Sequence, residues 1–254
     1  MRIALGIEYD GTSYNGWQRQ KSGLGVQQRL EEALSLVANE PIDVICAGRT
    51  DTGVHASGQV VHFDTTAERS DRGWLLGANS NLPDDISVTW VHRVDDEFHA
   101  RFSATGRSYR YQILNRLQRS ALHRQRAWWV HQPLNEALMN EAAQRLVGEH
   151  DFSAFRAAGC QAGSAVREIT RIDVTRSGDW VTLRVSANAF LMHMVRNITG
   201  TLAAIGLGEE PAEWVTTVLE SANRTIGGVT APPQGLTLVS VDYPPEFGIP
   251  SASA

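Results

Sequence analysis

The segment best suited to chemistry in this chain runs from Ala47 to His55 and reads AGRTDTGVH. It places one carboxylate, Asp51, between two glycines, and one guanidinium, Arg49, two residues before that carboxylate. Because glycine lets the backbone turn and lets a ligand come close, a carboxylate in such a connection can project into a binding cleft. The alternative is a tight turn with a local ion pair between Arg49 and Asp51, since turns use Gly, Asp and Thr for purely local reasons.

The elements that must position this segment follow from the hydrophobic pattern. In the first half of the chain the pattern predicts strands over 2–9, 42–46, 59–63 and 86–94. It predicts helices over 26–37 and 71–76, the second with Asp71 as its N-cap. In the second half it predicts strands over 108–114 and 236–243, and a hairpin of strands over 169–175 and 180–185. It predicts helices over 134–147, 190–205 and 211–221. Each half therefore has the order βαββαβ, with one helix added in the second.

This repeat predicts an α+β fold of two ferredoxin-like halves, with a central cleft where the halves meet. We assign residues 1–104 to the N-terminal half, which carries Asp51, and residues 105–245 to the C-terminal half. The remaining residues, 246–254, end in the sequence PSASA and are predicted to form a flexible tail.

Length and composition are typical of a globular protein in a reducing compartment. Of the 254 residues, 42% are hydrophobic and 20% are charged, which excludes a disordered chain. No apolar run approaches the roughly 20 residues that cross a bilayer, and the N-terminus alternates like a strand and lacks a signal-peptide core. The two cysteines, Cys46 and Cys160, cannot build a disulfide framework or a metal cage. The sequence therefore predicts a cytoplasmic protein with no membrane partner.

Other chemical motifs are incomplete. The histidines do not show the spacings of a metal site, and the chain has neither a glycine-rich phosphate loop nor a nucleophile elbow. The segment from Glu8 to Thr12 is similar to the Asp-x-Asp-Gly-Thr loop of aspartate-nucleophile phosphatases, but Glu8 stands where the nucleophilic aspartate is needed. We therefore predict no metal and no cofactor.

Arginine is concentrated in one window of the chain. The net charge of −5 argues mildly against nucleic-acid binding, yet no acidic residue occurs between Glu97 and Glu136. The arginines of this window are Arg101, Arg107, Arg110, Arg116, Arg119, Arg124 and Arg126. Because arginine binds phosphate bidentately and stacks on bases, a basic stripe on an acidic protein can hold RNA. The alternative is a set of arginines spread over a solvated surface.

Several motifs, taken in order along the chain, resemble those of the tRNA pseudouridine synthase A (TruA) family. Besides the segment around Asp51, they are YDGTSYNGWQRQ at 9–20, FHARFSA at 98–104, RSYRY at 107–111, FLMHMVRN at 190–197 and GLTL at 235–238. Together they cover nearly the whole chain, and several motifs in order are more specific than any one alone. A small departure is Thr52, where alanine is common in the family.

The resemblance implies a pseudouridine synthase fold and an isomerase that converts uridine to pseudouridine at positions 38, 39 and 40 in the anticodon stem-loop of tRNA. This reaction needs no cofactor. The implied partners are tRNA and a second copy of the chain in a homodimer, for which the tryptophans offer apolar area: Trp90, Trp128, Trp129 and Trp214. The alternatives are a non-catalytic RNA-binding protein of the same fold and a small-molecule enzyme that uses a ferredoxin-like cleft.

The resemblance also assigns roles to single residues. It gives Asp51 the role of nucleophile and Arg196 the role of the positive partner that an ionised aspartate in a partly desolvated cleft requires. Three routes stay open at this point, namely attack of Asp51 on C1′, attack on C6, and assistance of a glycal by deprotonation.

The remaining implied roles concern the substrate. Arg49 occupies the space that a flipped uridine leaves in the stem. Tyr109 stacks on the uracil, where its hydroxyl can act on the C5 proton, and Leu236 lines the uracil pocket. The segment at the junction of the halves is implied to bind RNA through Phe98, His99, Arg101 and Phe102.

Overall fold

A computed structural model describes residues 1–250, which form two compact units. The first unit contains Met1–Gly106 together with 238–250, and the second contains Arg107–Thr237. Residues 238–245 therefore belong to the first unit, and their prediction as part of the C-terminal half is wrong.

The first unit has the order βαββαβ that its sequence predicts. Its elements are β1 (Arg2–Tyr9), α1 (Val26–Ala38), β2 (Ile45–Cys46), β3 (His55–Asp64), α2 (Asp71–Asn81) and β4 (Ile86–Val94). Strand β1 is antiparallel to both β3 and β4, and β2 pairs with β3. The sheet order β4-β1-β3-β2 is that of a ferredoxin-like unit.

The rest of the chain, most of which forms the second unit, contains more strands than predicted. From Gly106 onwards the elements are β5 (Gly106–Asn115), β6 (Trp128–Val130), α3 (Glu136–Gln144), β7 (Gly148–Asp151), β8 (Val166–Ser177), β9 (Trp180–Ala187), α4 (Met194–Gly206), α5 (Trp214–Ser221) and β10 (Leu236–Asp242). Antiparallel pairs join β5 to β9, β9 to β8 and β8 to β7, whereas β6 is parallel to β5. Strands β6 and β7 were not predicted, because three and four residues are too few to show alternation. The α+β class is confirmed, whereas the order βαββαβ is found in the first unit and is interrupted by β6 and β7 in the second.

Close backbone contact explains why the end of β10 lies in the first unit. Residues 238–242 run beside β3. A Cβ atom at Gly58 of β3 would collide with the carbonyl oxygen of Val239, so only glycine permits this approach. The N–H group of Thr105 also donates to the carbonyl of Asp242 at 2.9 Å.

The segment after β10 is packed and not flexible over its described part. Phe247 and Ile249 pack against the buried cluster that contains Phe98. The prediction of a flexible tail is therefore wrong for the residues up to 250. The rest of that predicted tail, 251–254, lies outside the described residues.

Several helix ends differ from the prediction, and three of these differences follow from specific caps and contacts. Helix α2 is capped by Ser70 and not by Asp71, since the Ser70 hydroxyl accepts from the N–H of Gly73 at 3.0 Å. It continues through Gly77, where a Cβ would lie 2.9 Å from Val37 Cγ2 of α1, so glycine lets the two helices approach.

The helices of the second unit begin later than predicted. The Asn135 side chain caps α3 by accepting from the N–H groups of Ala137 and Leu138 at 3.1 Å each. Helix α4 begins only at Met194, because His193 before it adopts a left-handed conformation with φ of 62°.

Candidate active site

Asp51 lies half-buried in the connection between β2 and β3. The connection leaves the sheet at Ala47, whose N–H donates to the carbonyl of Val60 at 2.8 Å. It turns at Gly53, where φ is 77° and a side chain would be strained. The structure therefore gives this loop a tight geometry that depends on glycine.

The loop is held by the segment that follows β1. The N–H of Trp17 donates to the carbonyl of Thr50 at 3.0 Å, and the Tyr9 hydroxyl lies 2.7 Å from Thr50 Oγ1. Beyond Asp51, the N–H of Gly53 donates to the carbonyl of Tyr14 at 3.4 Å. The backbone is thus fixed on both sides of Asp51, which is how a reacting group is preorganised.

Two buried polar residues of β3 add to this restraint. The Gln59 amide donates to the carbonyl of Gly48 at 2.6 Å. The His55 ring accepts at Nδ1 from the N–H of Gly11 at 3.0 Å. Between these anchored positions the side chain of Arg49 is exposed.

Tyr109 lies on β5, opposite Val185 of β9. Its half-buried ring makes an edge-to-face contact with Phe190 at a centroid distance of 5.0 Å, which sets the ring plane. Tyr111, by contrast, is wholly buried, its hydroxyl donates to the carbonyl of Pro232 at 2.6 Å, and burial raises the pKa of that hydroxyl. Of the two tyrosines, Tyr109 is therefore the one with an accessible ring.

Arg196 lies in the first turn of α4, and the loop before β10 fixes its guanidinium. Its Nε donates to the carbonyl of Ala231 at 2.8 Å, while the N–H of Ala231 donates to the carbonyl of Arg196 at 3.1 Å. The helix starts after the left-handed His193, and such backbone strain clusters at functional sites. Leu236, the first residue of β10, is 5% exposed, so only a small apolar edge of it is accessible.

The segment 98–102 begins with a buried anchor. Phe98 has no exposed surface and packs against Tyr243 and Phe247, with ring centroids 5.1 and 5.3 Å away. The prediction that Phe98 contacts RNA is therefore wrong, because a wholly buried ring does not reach a ligand. Its role is to hold the segment on the core of the first unit.

The other end of this segment forms an exposed aromatic and basic surface. Phe102 is 77% exposed, stacks on the ring of His99 at 4.3 Å, and lies 5.6 Å from the Arg101 guanidinium. His99 Nδ1 accepts from the N–H groups of Arg101 and Phe102, both at 3.2 Å. An accessible ring beside a guanidinium is a surface on which a nucleic-acid base can stack.

His62 of β3 lies beneath this surface and accepts a hydrogen bond from the backbone of the segment 98–102. Protonation of His62 would remove this hydrogen bond, so the anchoring of the segment depends on pH. Its Nδ1 accepts from the N–H of Ala100 at 3.1 Å. Burial, with smaller contributions from the charges of Arg2 and His99, lowers the pKa of His62 from 6.5 to about 4. Between these two values the folded state binds fewer protons than the unfolded state, so the free energy of unfolding decreases as the pH falls.

We expect the urea midpoint of unfolding to decrease between pH 7 and pH 5, and the variant His62→Asn to show a smaller decrease. Asparagine can accept from the Ala100 N–H without titrating. The variant therefore keeps this hydrogen bond and removes the contribution of His62 to the pH dependence of unfolding. Equal decreases in the two proteins would show that His62 is not the titrating group.

The arginines of the acid-free window differ in their surroundings. Three of them are exposed in the irregular segment between β5 and β6, namely Arg119, Arg124 and Arg126. Two others contact the second unit itself: Arg107 donates to the carbonyl of Asn188 at 2.9 Å, and Arg116 donates to the carboxylate of Asp179 at 3.3 Å. The exposed basic surface therefore contains fewer arginines than the acid-free window of the sequence.

The same irregular segment and the strand after it expose apolar side chains. Leu117 is 72% exposed, Leu122 is 88% exposed and Trp129 is 41% exposed. Trp90, predicted to offer interface area, instead packs against the core of the first unit.

Three further findings concern membrane-spanning helices, metal ligands and the Cys46 thiol. Within residues 1–250, every helix is too short or too polar to cross a membrane, and no group of three or more His, Cys, Asp or Glu side chains is suited to hold a metal ion. Burial raises the pKa of the Cys46 thiol to about 12, so this cysteine is not a nucleophile at neutral pH.

Sequence reasoning missed the residues that hold the loop. Tyr9, Tyr14 and Trp17 lie in a segment that contributed to the family resemblance, but no role followed from their types. Their contacts with Thr50 and Gly53 join positions far apart in the chain, which local periodicity does not reveal.

The chain matches the family model described as tRNA pseudouridine synthase over residues 6–103 and 142–244. Two relatives, each named tRNA pseudouridine synthase A, are similar over nearly their whole length. The relative from Pseudoalteromonas atlantica is 59% identical over 250 residues, which are 98% of this chain and 95% of that protein. The relative from Nitrosococcus oceani is 56% identical over 253 residues, which are 100% of this chain and 98% of that protein. The chain therefore belongs to the tRNA pseudouridine synthase family, whose members are isomerases.

Among solved structures, a chain in the crystal structure of the archaeal box H/ACA sRNP Nop10-Cbf5 complex aligns with 92% of this chain and 46% of that chain. The TM-score is 0.38 and the sequence identity is 10%, so this likeness adds nothing to the assignment.

Proposed function

We propose that this protein converts uridine to pseudouridine at positions 38, 39 and 40 in the anticodon stem-loop of tRNA. The family match and the relatives named tRNA pseudouridine synthase A support the activity and the substrate. In this reaction the C1′–N1 bond of uridine breaks, the uracil turns and a C1′–C5 bond forms. The proton at C5 is released and N1 takes up one proton, so the number of hydrogen atoms is unchanged. Neither electrons nor water are consumed, so the product is an isomer of the substrate.

The observation that carries the proposal is the fixed loop around Asp51. Thr50 is held through its carbonyl by Trp17 and through its hydroxyl by Tyr9, and Gly53 is held by Tyr14. A carboxylate is an effective nucleophile when its position is set before the substrate binds. Attack on C1′, attack on C6 and assistance of a glycal all begin with this carboxylate.

We assign supporting roles to three residues of the second unit. The Tyr109 ring, oriented by Phe190, stacks on the uracil, and its hydroxyl acts on the C5 proton. Leu236 contributes apolar surface to the uracil site. Arg196 supplies the positive charge that favours an ionised carboxylate during the reaction.

Arg49 is assigned to the space that the flipped uridine leaves, because it is exposed on an otherwise fixed loop. The variant Arg49→Ala should lower kcat/KM about 10- to 100-fold on a paired target, since extrusion of a paired base costs a few kcal/mol that is then not offset. On a transcript with a mispaired target uridine the loss should be much smaller, because such a base is easier to extrude.

The measurement is tritium release from the two transcripts under the same conditions. Arg72→Ala, which removes an exposed arginine of α2, is the matched control and should leave both rates unchanged. Equal losses for Arg49→Ala on paired and mispaired targets would rule out the flipping role.

We assign contacts with the RNA backbone to Arg101, supported by His99 and Phe102, and to the exposed arginines between β5 and β6. Such contacts position a helical stem without reading its sequence, which fits a substrate with three neighbouring target positions. We further propose a homodimer that covers the exposed Leu117, Leu122 and Trp129, and a cytoplasmic location.

Tritium release tests the proposal as a whole. Unmodified tRNA transcripts that carry tritium at uridine C5 are prepared with positions 38, 39 and 40 in turn as the only uridine in the anticodon stem-loop. Release from all three transcripts supports the proposal. Release only from uridines elsewhere in the tRNA contradicts the assigned positions, and binding without any release indicates a non-catalytic RNA-binding protein.

A further inference from the structure

Arg224 is a partly buried arginine of the second unit that binds two neutral oxygen atoms. Its Nη2 donates to Asn197 Oδ1 at 3.0 Å and to Thr230 Oγ1 at 2.9 Å. The Thr230 hydroxyl donates in turn to the same Asn197 oxygen at 2.7 Å. Burial lowers the pKa of Arg224, which shows that keeping a guanidinium at this position costs desolvation energy.

One of these two partners is the chain neighbour of Arg196, and the other is the chain neighbour of Ala231, which binds Arg196. Asn197 follows Arg196 in α4, and Thr230 precedes Ala231. The carbonyl of Ala231 accepts from Arg196 Nε at 2.8 Å, and the N–H of Ala231 donates to the carbonyl of Arg196 at 3.1 Å. One guanidinium group therefore joins the two segments that meet at Arg196.

The same two segments are in backbone contact at a second point. A Cβ atom at Gly228 would lie 2.6 Å from the carbonyl oxygen of Gly200 and 2.7 Å from the Cα of Thr201. The N–H of Gly228 donates to Thr201 Oγ1 at 3.1 Å. The loop 224–231 thus lies on α4 with no clearance, and Arg224, Gly228 and Ala231 each donate a hydrogen bond to the helix.

We propose that Arg224 is a positioning residue for the isomerisation, which fixes the Ala231 carbonyl against α4 and thereby the direction of the Arg196 guanidinium. This inference rests on the role proposed above for Arg196. Without Arg224 the loop that carries the Ala231 carbonyl loses one of its anchors on α4 and keeps those at Gly228 and Ala231, so the Arg196 guanidinium is held less tightly. Because Arg196 acts in the chemical step, the effect falls on kcat and not on tRNA binding.

A double-mutant cycle between Arg224 and Arg196 tests the proposal. Arg224→Met keeps an unbranched apolar stem and removes the hydrogen bonds; it should lower the single-turnover rate about tenfold, with tRNA affinity within about twofold of wild type. Arg196→Ala should lower the rate about 100-fold or more. The double variant should be no slower than Arg196→Ala, because a residue that acts through Arg196 has no effect once Arg196 is absent.

The matched control is Arg145→Met, which removes an arginine of the same unit that pairs with Glu213 at 3.0 Å and should keep the wild-type rate. Losses that multiply in the double variant, or an unchanged rate for Arg224→Met, overturn the proposal and leave the proposed function intact. A wild-type rate for Arg196→Ala contradicts the role of Arg196 instead.

Thr230→Val provides a second variant in case Arg224→Met does not unfold cooperatively. It removes the hydroxyl that joins Arg224 to Asn197 and preserves the shape of the side chain. We expect a several-fold lower rate in the wild-type background and no further loss in the Arg196→Ala background. An unchanged rate for Thr230→Val also overturns the proposal.

Discussion

Replacement of Asp51 by asparagine is expected to abolish pseudouridine formation, with a loss of roughly 10⁴-fold or more in the single-turnover rate. The amide has nearly the size of the carboxylate but lacks its negative charge, so it does not bond covalently to the nucleoside. The loop itself should be unchanged, because Thr50 and Gly53 are held through groups that the substitution does not touch.

Tritium release under single-turnover conditions and filter binding of the same tRNA separate chemistry from affinity. Asp43→Asn, which alters an exposed aspartate of the first unit, is the matched control and should be fully active. Release by Asp51→Asn at more than about 1% of the wild-type rate would contradict the nucleophilic role. A parallel loss of tRNA binding would reassign Asp51 to substrate binding.

The second large effect is expected at Gly16, a residue with no chemistry of its own. Its φ is +88°, and a Cβ there would lie 2.7 Å from the carbonyl oxygen of Thr50 and 3.1 Å from the carbonyl carbon of Asp51. Gly16→Ala adds backbone strain of about 1–2 kcal/mol and also forces the backbone at residues 50 and 51 to move. Since a shift of about 1 Å in a reacting group can cost 100-fold, we expect a rate loss of about that size.

The variant Gly208→Ala separates the effect of backbone strain from the effect of displacing residues 50 and 51. Gly208 has a similar φ of +75°, but no atom lies within 4 Å of its would-be Cβ, so this substitution adds only backbone strain. Both variants should unfold at a somewhat lower temperature, and only Gly16→Ala should lose activity. A Gly16→Ala protein with near wild-type turnover would show that the loop accommodates the methyl group without displacing Asp51.

The elements with a strong pattern were predicted well from the sequence. The strand 86–94 agrees with β4 at both ends, and the helix predicted over 26–37 differs from α1 by one residue, because each buries one regular apolar stripe. The elements whose ends were predicted wrongly depend on tertiary contacts. Helix α2 extends past Gly77, where a Cβ would lie 2.9 Å from Val37 Cγ2 of another helix, and this contact is not visible in the local pattern.

The candidate site shows the same division. From residue types alone the loop around Asp51 was either a catalytic loop or a tight turn with an ion pair, and the family resemblance favoured the catalytic loop. Phe98 and Phe102 are both phenylalanines of one short motif, yet the first is wholly buried and the second is 77% exposed, a difference that residue type does not encode. The role inferred for Arg224 likewise depends on contacts with residues 27 and 6 positions away in the chain.

The position of the last strand has a consequence for the order in which the protein matures during synthesis. Residues 238–242 run beside β3, and Phe247 covers Phe98, so the first unit takes its final strand and part of its core from the end of the chain. The ribosome delivers these residues after the whole of the second unit. The unit that is translated second can therefore finish folding first, while part of the β3 edge stays open to mispairing. The segment 98–102 obtains its complete anchor only when Tyr243 and Phe247 have been synthesised.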